Sequence, residues 1–209
     1  KNIKNPESDT QLQEALANVA HPVIVFFSTL NGSVNKENYY SSLHVELPFS
    51  LLSNLPNVFL GLSKVSQDND NVTRHLLPGA FDSKRNVFDE TFAFSVVRSA
   101  LGQNKTLSRP PIDDSSYQID ISPEKKINVP LEDGKMLINY FSSRSNKNSV
   151  TYSSESFINV YKEQYSFNPE LKFKDKIVLI GGTFSDSKDF FSTPTALQNP
   201  MPGIEIHAN

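Results

Sequence analysis

The chain has 209 residues, 37% of them hydrophobic, with 15 Phe, 7 Tyr, no cysteine and a net charge of −3. That length suits one α/β domain with a proper core or two small ones, and the charge lacks the basic footprint of a nucleic-acid binder. Without cysteine there are no disulfides, no Cys-ligated zinc and no thiol catalysis.

Residues 1–7 read as a loose leader. Ser8-Asp9-Thr10-Gln11 has capping-box spacing and predicts a helix with Leu12, Ala15, Leu16 and Val19 on one face, stopped by Pro22. Val23-Ile24-Val25-Phe26-Phe27 follows as a continuous apolar strand. Residues 28–56 read mostly as loop, with a turn at Asn31-Gly32 and an alternating segment Leu43–Leu47 limited by Pro48. Asn57–Val65 is a third strand, and the polar loop Gln67–Asn71 leads from it to Val72, Arg74 and Leu76. Residues 79–85 read as a turn.

Asn86–Gly102 is the best-marked helix. Asp89 and Glu90 lie near its start, Phe92, Val96, Val97, Ala100 and Leu101 make the apolar stripe, and Gly102 sits just past the C-cap. Residues 106–116 read as surface loop, Tyr117–Ile121 as a half-exposed strand, Pro130–Gly134 as a turn and Met136–Phe141 as a strand. After a polar loop over 142–149, Ser153 or Ser154 caps a short helix with Phe157, Val160 and Tyr161.

The last stretch, Asp175–Asn209, organises the reading. Ile177-Val178-Leu179-Ile180 is a β-branched run too short for an ordinary helix, and it predicts a strand covered on both faces. The carboxylate-bearing loop after it would lie at the carboxyl end of a central strand, where open α/β sheets bind ligands. The expected fold is one α/β domain over residues 1–209, with a central, largely parallel or mixed sheet flanked by helices. No apolar run approaches the roughly 18 residues of a membrane span. The N-terminus has no signal-peptide apolar region, so the chain reads as soluble or as a soluble piece from between membrane segments.

Four segments in order carry a resemblance. They are Asp70-Asn71-Val72-Thr73-Arg74, Leu137-Ile138-Asn139-Tyr140, Tyr152-Ser153-Ser154-Glu155-Ser156-Phe157, and a final series. The series runs from Lys174-Asp175-Lys176-Ile177-Val178-Leu179-Ile180-Gly181 through Asp189 and Ser192-Thr193-Pro194 to Pro202-Gly203-Ile204-Glu205-Ile206-His207-Ala208-Asn209. From Ser8 onward the chain resembles the second type of CHASE domain, the cyclase- and histidine-kinase-associated sensory extracellular domain. Asn71 departs from the family's usual glycine, although Asn also tolerates the left-handed backbone. The strand-and-helix section that precedes Ser8 in the family is missing, and residues 202–209 read as the start of a truncated exit helix. The resemblance implies a periplasmic or extracytoplasmic sensor, the outer part of an inner-membrane receptor. Its parent would carry transmembrane spans and a cytoplasmic cyclase, diguanylate cyclase, histidine kinase or protein kinase. The signal, a small molecule or a physical stimulus, is not implied, and neither a cofactor nor nucleic acid is expected.

Asp70 and Arg74 are candidates to hold a charged ligand, or else form a turn closed by its own Asp beside an ion pair. Gly181-Gly182 would offer bare amides to an anion, or simply let the chain turn off a crowded strand end. Asp186, Asp189, Glu205 and His207 would suit calcium, magnesium or zinc if they converge; otherwise they cap turns and pack. Asn139, Tyr140 and Thr193 join the candidate ligand-binding residues through the motifs of the resemblance. Four His and many Ser permit a triad on paper, but there is no G-x-S-x-G elbow, so no catalytic residue is assigned. The expected function is a non-enzymatic sensory input domain, with a dimerisation scaffold, and less so a hydrolase, as the alternatives.

Overall fold

The computed structural model describes residues 6–20, 22–34, 40–46, 55–82, 85–103, 115–140 and 173–209. The chain packs as two compact units, one of Lys1–Asp68 with Arg74–Ile138 and the other of Asn69–Thr73 with Asn139–Asn209.

The first unit begins with α1 (Pro6–Ala17), which starts two residues before Ser8. Ser8 therefore lies inside the helix and not at its cap. Leu12, Ala15 and Val19 are exposed, so the expected apolar face is not the face that holds this helix. Its carboxyl end is closed by a distant side chain: Asn57 Nδ2 donates to the carbonyls of Leu16 at 2.9 Å and Val19 at 2.7 Å. Those two bonds cap the end of the helix, where the Leu16 carbonyl also accepts from Val19 N at 3.2 Å.

A five-stranded sheet follows, built from β1 (Val23–Val34), β2 (Tyr40–Glu46), β3 (Phe59–Leu62), β5 (Gly79–Asp82) and β6 (Val87–Glu90) in the order β3-β1-β2-β5-β6. It is mixed: β1–β3 and β2–β5 are parallel, while β1–β2 and β5–β6 are antiparallel. Among the described residues no large parallel sheet forms. The turn expected at Asn31-Gly32 is absorbed into β1, whose register with β2 shifts between Thr29 and Leu30 and again between Leu30 and Val34. Such irregularities let a strand bend without breaking its pairing. A parallel bridge from Leu62 to Thr91 brings the end of β3 to the residue after β6.

The segment 79–90 corrects two expectations. Residues 79–82 form β5 and not merely a turn, and 87–90 form β6, so α2 spans only Phe92–Ala100. The reason is local: Asn86 adopts φ 54°, a turn conformation that a helix excludes, and the chain returns along β5. Asp89 and Glu90 are strand residues. α2 also buries a different face from the one its apolar residues mark. Phe92, Phe94, Ser95, Arg98 and Ser99 are buried, whereas Val97, Ala100 and Leu101 are exposed. Ser95 Oγ donates to the Leu60 carbonyl at 2.9 Å, and a Cβ on Gly61 would lie 2.7 Å from the Phe92 Cα. The helix thus lies too close to β3 for a larger side chain at Gly61. At its end, Gly102 (φ 65°) donates to Ser99 O and Gln103 N to Arg98 O, a Schellman closure at the position expected for Gly102.

β7 (Ser116–Ser122) covers the expected strand 117–121 and pairs with β8 (Lys125–Pro130), which went unpredicted because its Lys125-Lys126 start is polar. β4 (His75–Leu76) pairs with β9 (Met136–Leu137), shorter than expected, and Ile138 N continues the ladder to Arg74 O at 2.8 Å.

In the second unit, β10 (Phe190–Thr193) and β11 (Ala196–Pro202) form a hairpin, and α3 (Gly203–Ala208) follows directly. The strand expected at 177–180 is not formed. Ile177, Val178 and Ile180 are 59%, 47% and 76% exposed, and no described strand pairs with them. Asp175 at φ 57° turns the chain just before the run. A strand needs a ladder partner as well as β-branched residues, and among the described residues the run has only the second. The expected helix after Ser153 or Ser154, the 142–149 loop and most of the 106–116 loop lie outside the described residues.

Candidate functional site

The second unit gathers most of the sequence-marked residues into two clusters. In the first, Asp70 Oδ1 accepts a hydrogen bond from Val72 N at 3.1 Å, which ties the turn to its own carboxylate. Asn71 occupies the left-handed region at φ 62°, the conformation that the usual glycine of the resembled motif would supply. Val72 bridges to Ser192, and Thr73 N donates to Ser192 O at 2.7 Å. Tyr140 Oη donates to Thr73 O at 3.0 Å. The motifs around residues 70, 140 and 193 therefore meet in space. Thr73 and Thr193 are both 0% exposed. Thr73 Oγ1 finds no hydrogen-bond partner among the described residues. Asn139 is exposed.

The second cluster lies where the 181–189 loop meets α3. A Cβ on Gly181 would stand 2.7 Å from the Ile204 Cβ, so this glycine is where the loop packs directly on the helix. A Cβ on Gly182 would lie 3.2 Å from the Phe184 ring and 3.5 Å from the Ser187 Cβ. The Asp189 carboxylate lies against Gly203, close enough that a Cβ there would meet its Oδ2 at 2.5 Å, and Gly203 N donates to Asp189 O at 2.9 Å. Partial burial of the Asp189 carboxyl raises its pKa. Glu205 is buried in the first turn of α3, and its carbonyl accepts from Asn209 Nδ2 at 2.7 Å. His207 is half-buried in the last turn. Asp186 sits in a short 3-10 turn over Ser185–Ser187. Among the described residues no three His, Cys, Asp or Glu side chains form a group suited to a metal ion, so Asp186, Asp189, Glu205 and His207 do not make a shared cation cage.

In the first unit, Arg74 Nη1 pairs with Asp68 Oδ2 at 3.4 Å, and His75 Nδ1 lies 3.0 Å from Asp68 Oδ1. Sequence reasoning missed two buried charge clusters in this unit. Arg98 binds both oxygens of Glu90, and Tyr117 Oη donates to Glu90 Oε1. Phe94 packs edge-on to Tyr117 with ring centroids 4.6 Å apart. Burial pushes the Glu90 carboxyl above its ordinary pKa while Arg98 pulls it down. On the other side of β6, Arg85 spans Asp82 and Asp89. The available signal was Asp89-Glu90 set between Phe88 and Phe92, with an Arg on each side in sequence. Consecutive acids in an apolar strand must face opposite ways, and each needs a cation.

Among the described residues no helix is long and apolar enough to cross a membrane. The family model described as CHASE2 domain matches residues 2–209. No curated relative and no solved structure matches the chain.

Proposed function

This chain belongs to the CHASE2 domain family, an extracytoplasmic sensory and non-catalytic class of domain, and from that membership we propose a specific role in a membrane receptor. The domain is the input module of an inner-membrane protein, and its output is a cytoplasmic cyclase, diguanylate cyclase or kinase. Signal binding biases two arrangements of the second unit, and the difference leaves through α3. A signal drives this only through unequal affinity for the two arrangements. The observation that carries the reading is the contact of Gly181 with Ile204, reinforced by the Asp189 carboxylate against Gly203. The Gly181 backbone stands against Ile204 with no side chain of its own between them, so a shift of the loop is expected to displace α3. The candidate ligand contacts remain Asp70, Arg74, Asn139, Tyr140, Gly181, Gly182, Asp189, Thr193, Glu205 and His207. Hydrogen exchange on the full-length receptor tests the reading. Activation is expected to change protection across residues 181–209, and unchanged protection there would sink the coupling.

A second reading, a dimerisation scaffold without a small ligand, draws on the exposed Ile177, Val178, Ile180 and Phe184. Mass in solution combined with a thermal-shift screen separates the two. Dimers that grow with concentration and no ligand response favour the scaffold; stabilisation by a ligand at constant mass favours the sensor.

A further inference from the structure

One segment, Val72–Leu76, is bound along its whole length, and its partners change on the way from one ladder to another. Val72 makes a parallel bridge to Ser192 of β10, and Thr73 N donates to Ser192 O at 2.7 Å. Thr73 O accepts from Tyr140 Oη at 3.0 Å, and Arg74 O accepts from Ile138 N at 2.8 Å. His75 and Leu76 then pair with Leu137 and Met136 of β9. No turn interrupts these five residues, and Val72, Thr73 and Leu76 are buried.

Such a segment can yield in two ways, and both are unfavourable. A slip by one residue would carry Arg74 into the fully buried place of Thr73 and take a charge out of water. Peeling from β10 would strip Thr73 N and Ser192 O of their bond where water does not reach Thr73. The loop before the segment is fastened at its neck. The Asp68 carboxylate lies 3.0 Å from His75 Nδ1 and 3.4 Å from Arg74 Nη1, while the Asp70 side chain and the left-handed Asn71 close the turn between. At the far end β10 pairs with β11, Phe190 opposite Pro202, and α3 starts at the next residue, Gly203.

We propose that Val72–Leu76 is a strut that carries a displacement of the β4–β9 ladder into the β10–β11 hairpin and so to α3, with Asp68 as the residue that positions it. This rests on the sensory reading, in which the signal leaves through α3, and gives that helix a second input beside the Gly181 loop. The mark of such coupling is that the members open together, which position alone does not establish.

The test is native-state hydrogen exchange of the 209-residue chain in rising, sub-denaturing urea, followed at the amides of Thr73, Ile138 and Gly203. The three are expected to merge into one opening with a common dependence on urea, after correction for intrinsic rates. Asp68→Ala is expected to speed exchange at all three by about tenfold or more, because it removes charge-assisted contacts. Asp68→Asn, which keeps an acceptor oxygen, is expected to fall between. Phe59 N, which donates to Pro22 O at 2.9 Å away from the segment, is the reference expected to stay slow. Thr73 opening separately from Ile138 and Gly203 overturns the strut, and the unsubstituted chain gives that reading even if a variant fails to fold. Equal acceleration at Phe59 in Asp68→Ala, or none at Thr73, overturns the positioning role. None of these outcomes touches the contact of Gly181 with Ile204, which is measured through the output of the full-length receptor.

Discussion

Arg98 donates two hydrogen bonds of 2.7 Å to the two carboxylate oxygens of Glu90, and both side chains are buried. The pair joins α2 to β6, and Tyr117 brings β7 to the same carboxylate. Removing one member of such a pair leaves the other charge buried and uncompensated, which costs about 3–5 kcal/mol. Arg98→Met is therefore expected to lower the stability of the chain by that order in denaturant titrations. The combination Glu90→Leu, Arg98→Met and Tyr117→Phe removes the three buried members at once, leaving only the half-buried Gln103 that accepts from Arg98 Nη1, and is expected to recover most of the loss. Equal stabilities for the single and the triple variant would contradict the assignment.

Asp89 makes a pH prediction whose sign is fixed by the direction of its shift. Its folded pKa of about 6 lies above the ordinary 3.8, so the folded chain binds the extra proton between those values. The stabilisation is complete below pH 3.8 and is lost as pH rises through about 6. A shift of about two units corresponds to about 3 kcal/mol. Asp89→Asn, neutral at every pH, is expected to flatten this dependence and to melt higher than the unsubstituted chain near neutral pH. Thermal melts across the range check it, and parallel pH curves for the two proteins would refute it.

Thr73 is fully buried with its Oγ1 unpartnered among the described residues. An unmet buried hydroxyl costs about 1–3 kcal/mol, whereas an isosteric methyl there costs nothing. Thr73→Val is expected to leave the melting temperature unchanged or raise it. A clear drop would mean that the hydroxyl has a partner.

The sequence made the termini of several elements legible and misjudged their pairing. Gly102 marked the end of α2 because a Schellman closure needs a left-handed residue, which glycine announces. Asn71 worked the same way. The start of α2 was misplaced because acids before an apolar run look the same at a helix start as on a buried strand. The φ of Asn86, the β5–β6 pairing and the Arg85 and Arg98 contacts distinguish them. Ile177–Ile180 had the composition of a core strand, but composition does not provide the neighbour that a ladder requires. Of the candidate site, the meeting of residues 70–73, 140 and 192–193 was implied only by motifs. The contact of Gly181 with Ile204 had no sequence signal beyond the glycine itself.

That contact is where the proposed coupling is most exposed to measurement. Gly181→Ala places a methyl 2.7 Å from the Ile204 Cβ and is expected to cost about 1–3 kcal/mol through overpacking. Ile204→Gly, which removes that Cβ, opens the space again. In the full-length receptor, Gly181→Ala is expected to shift the basal output, and the double variant Gly181→Ala with Ile204→Gly to bring it back toward the starting level. A basal output that stays constant in Gly181→Ala, while the domain's melting temperature falls, would show that the loop and α3 are packed together without carrying the signal.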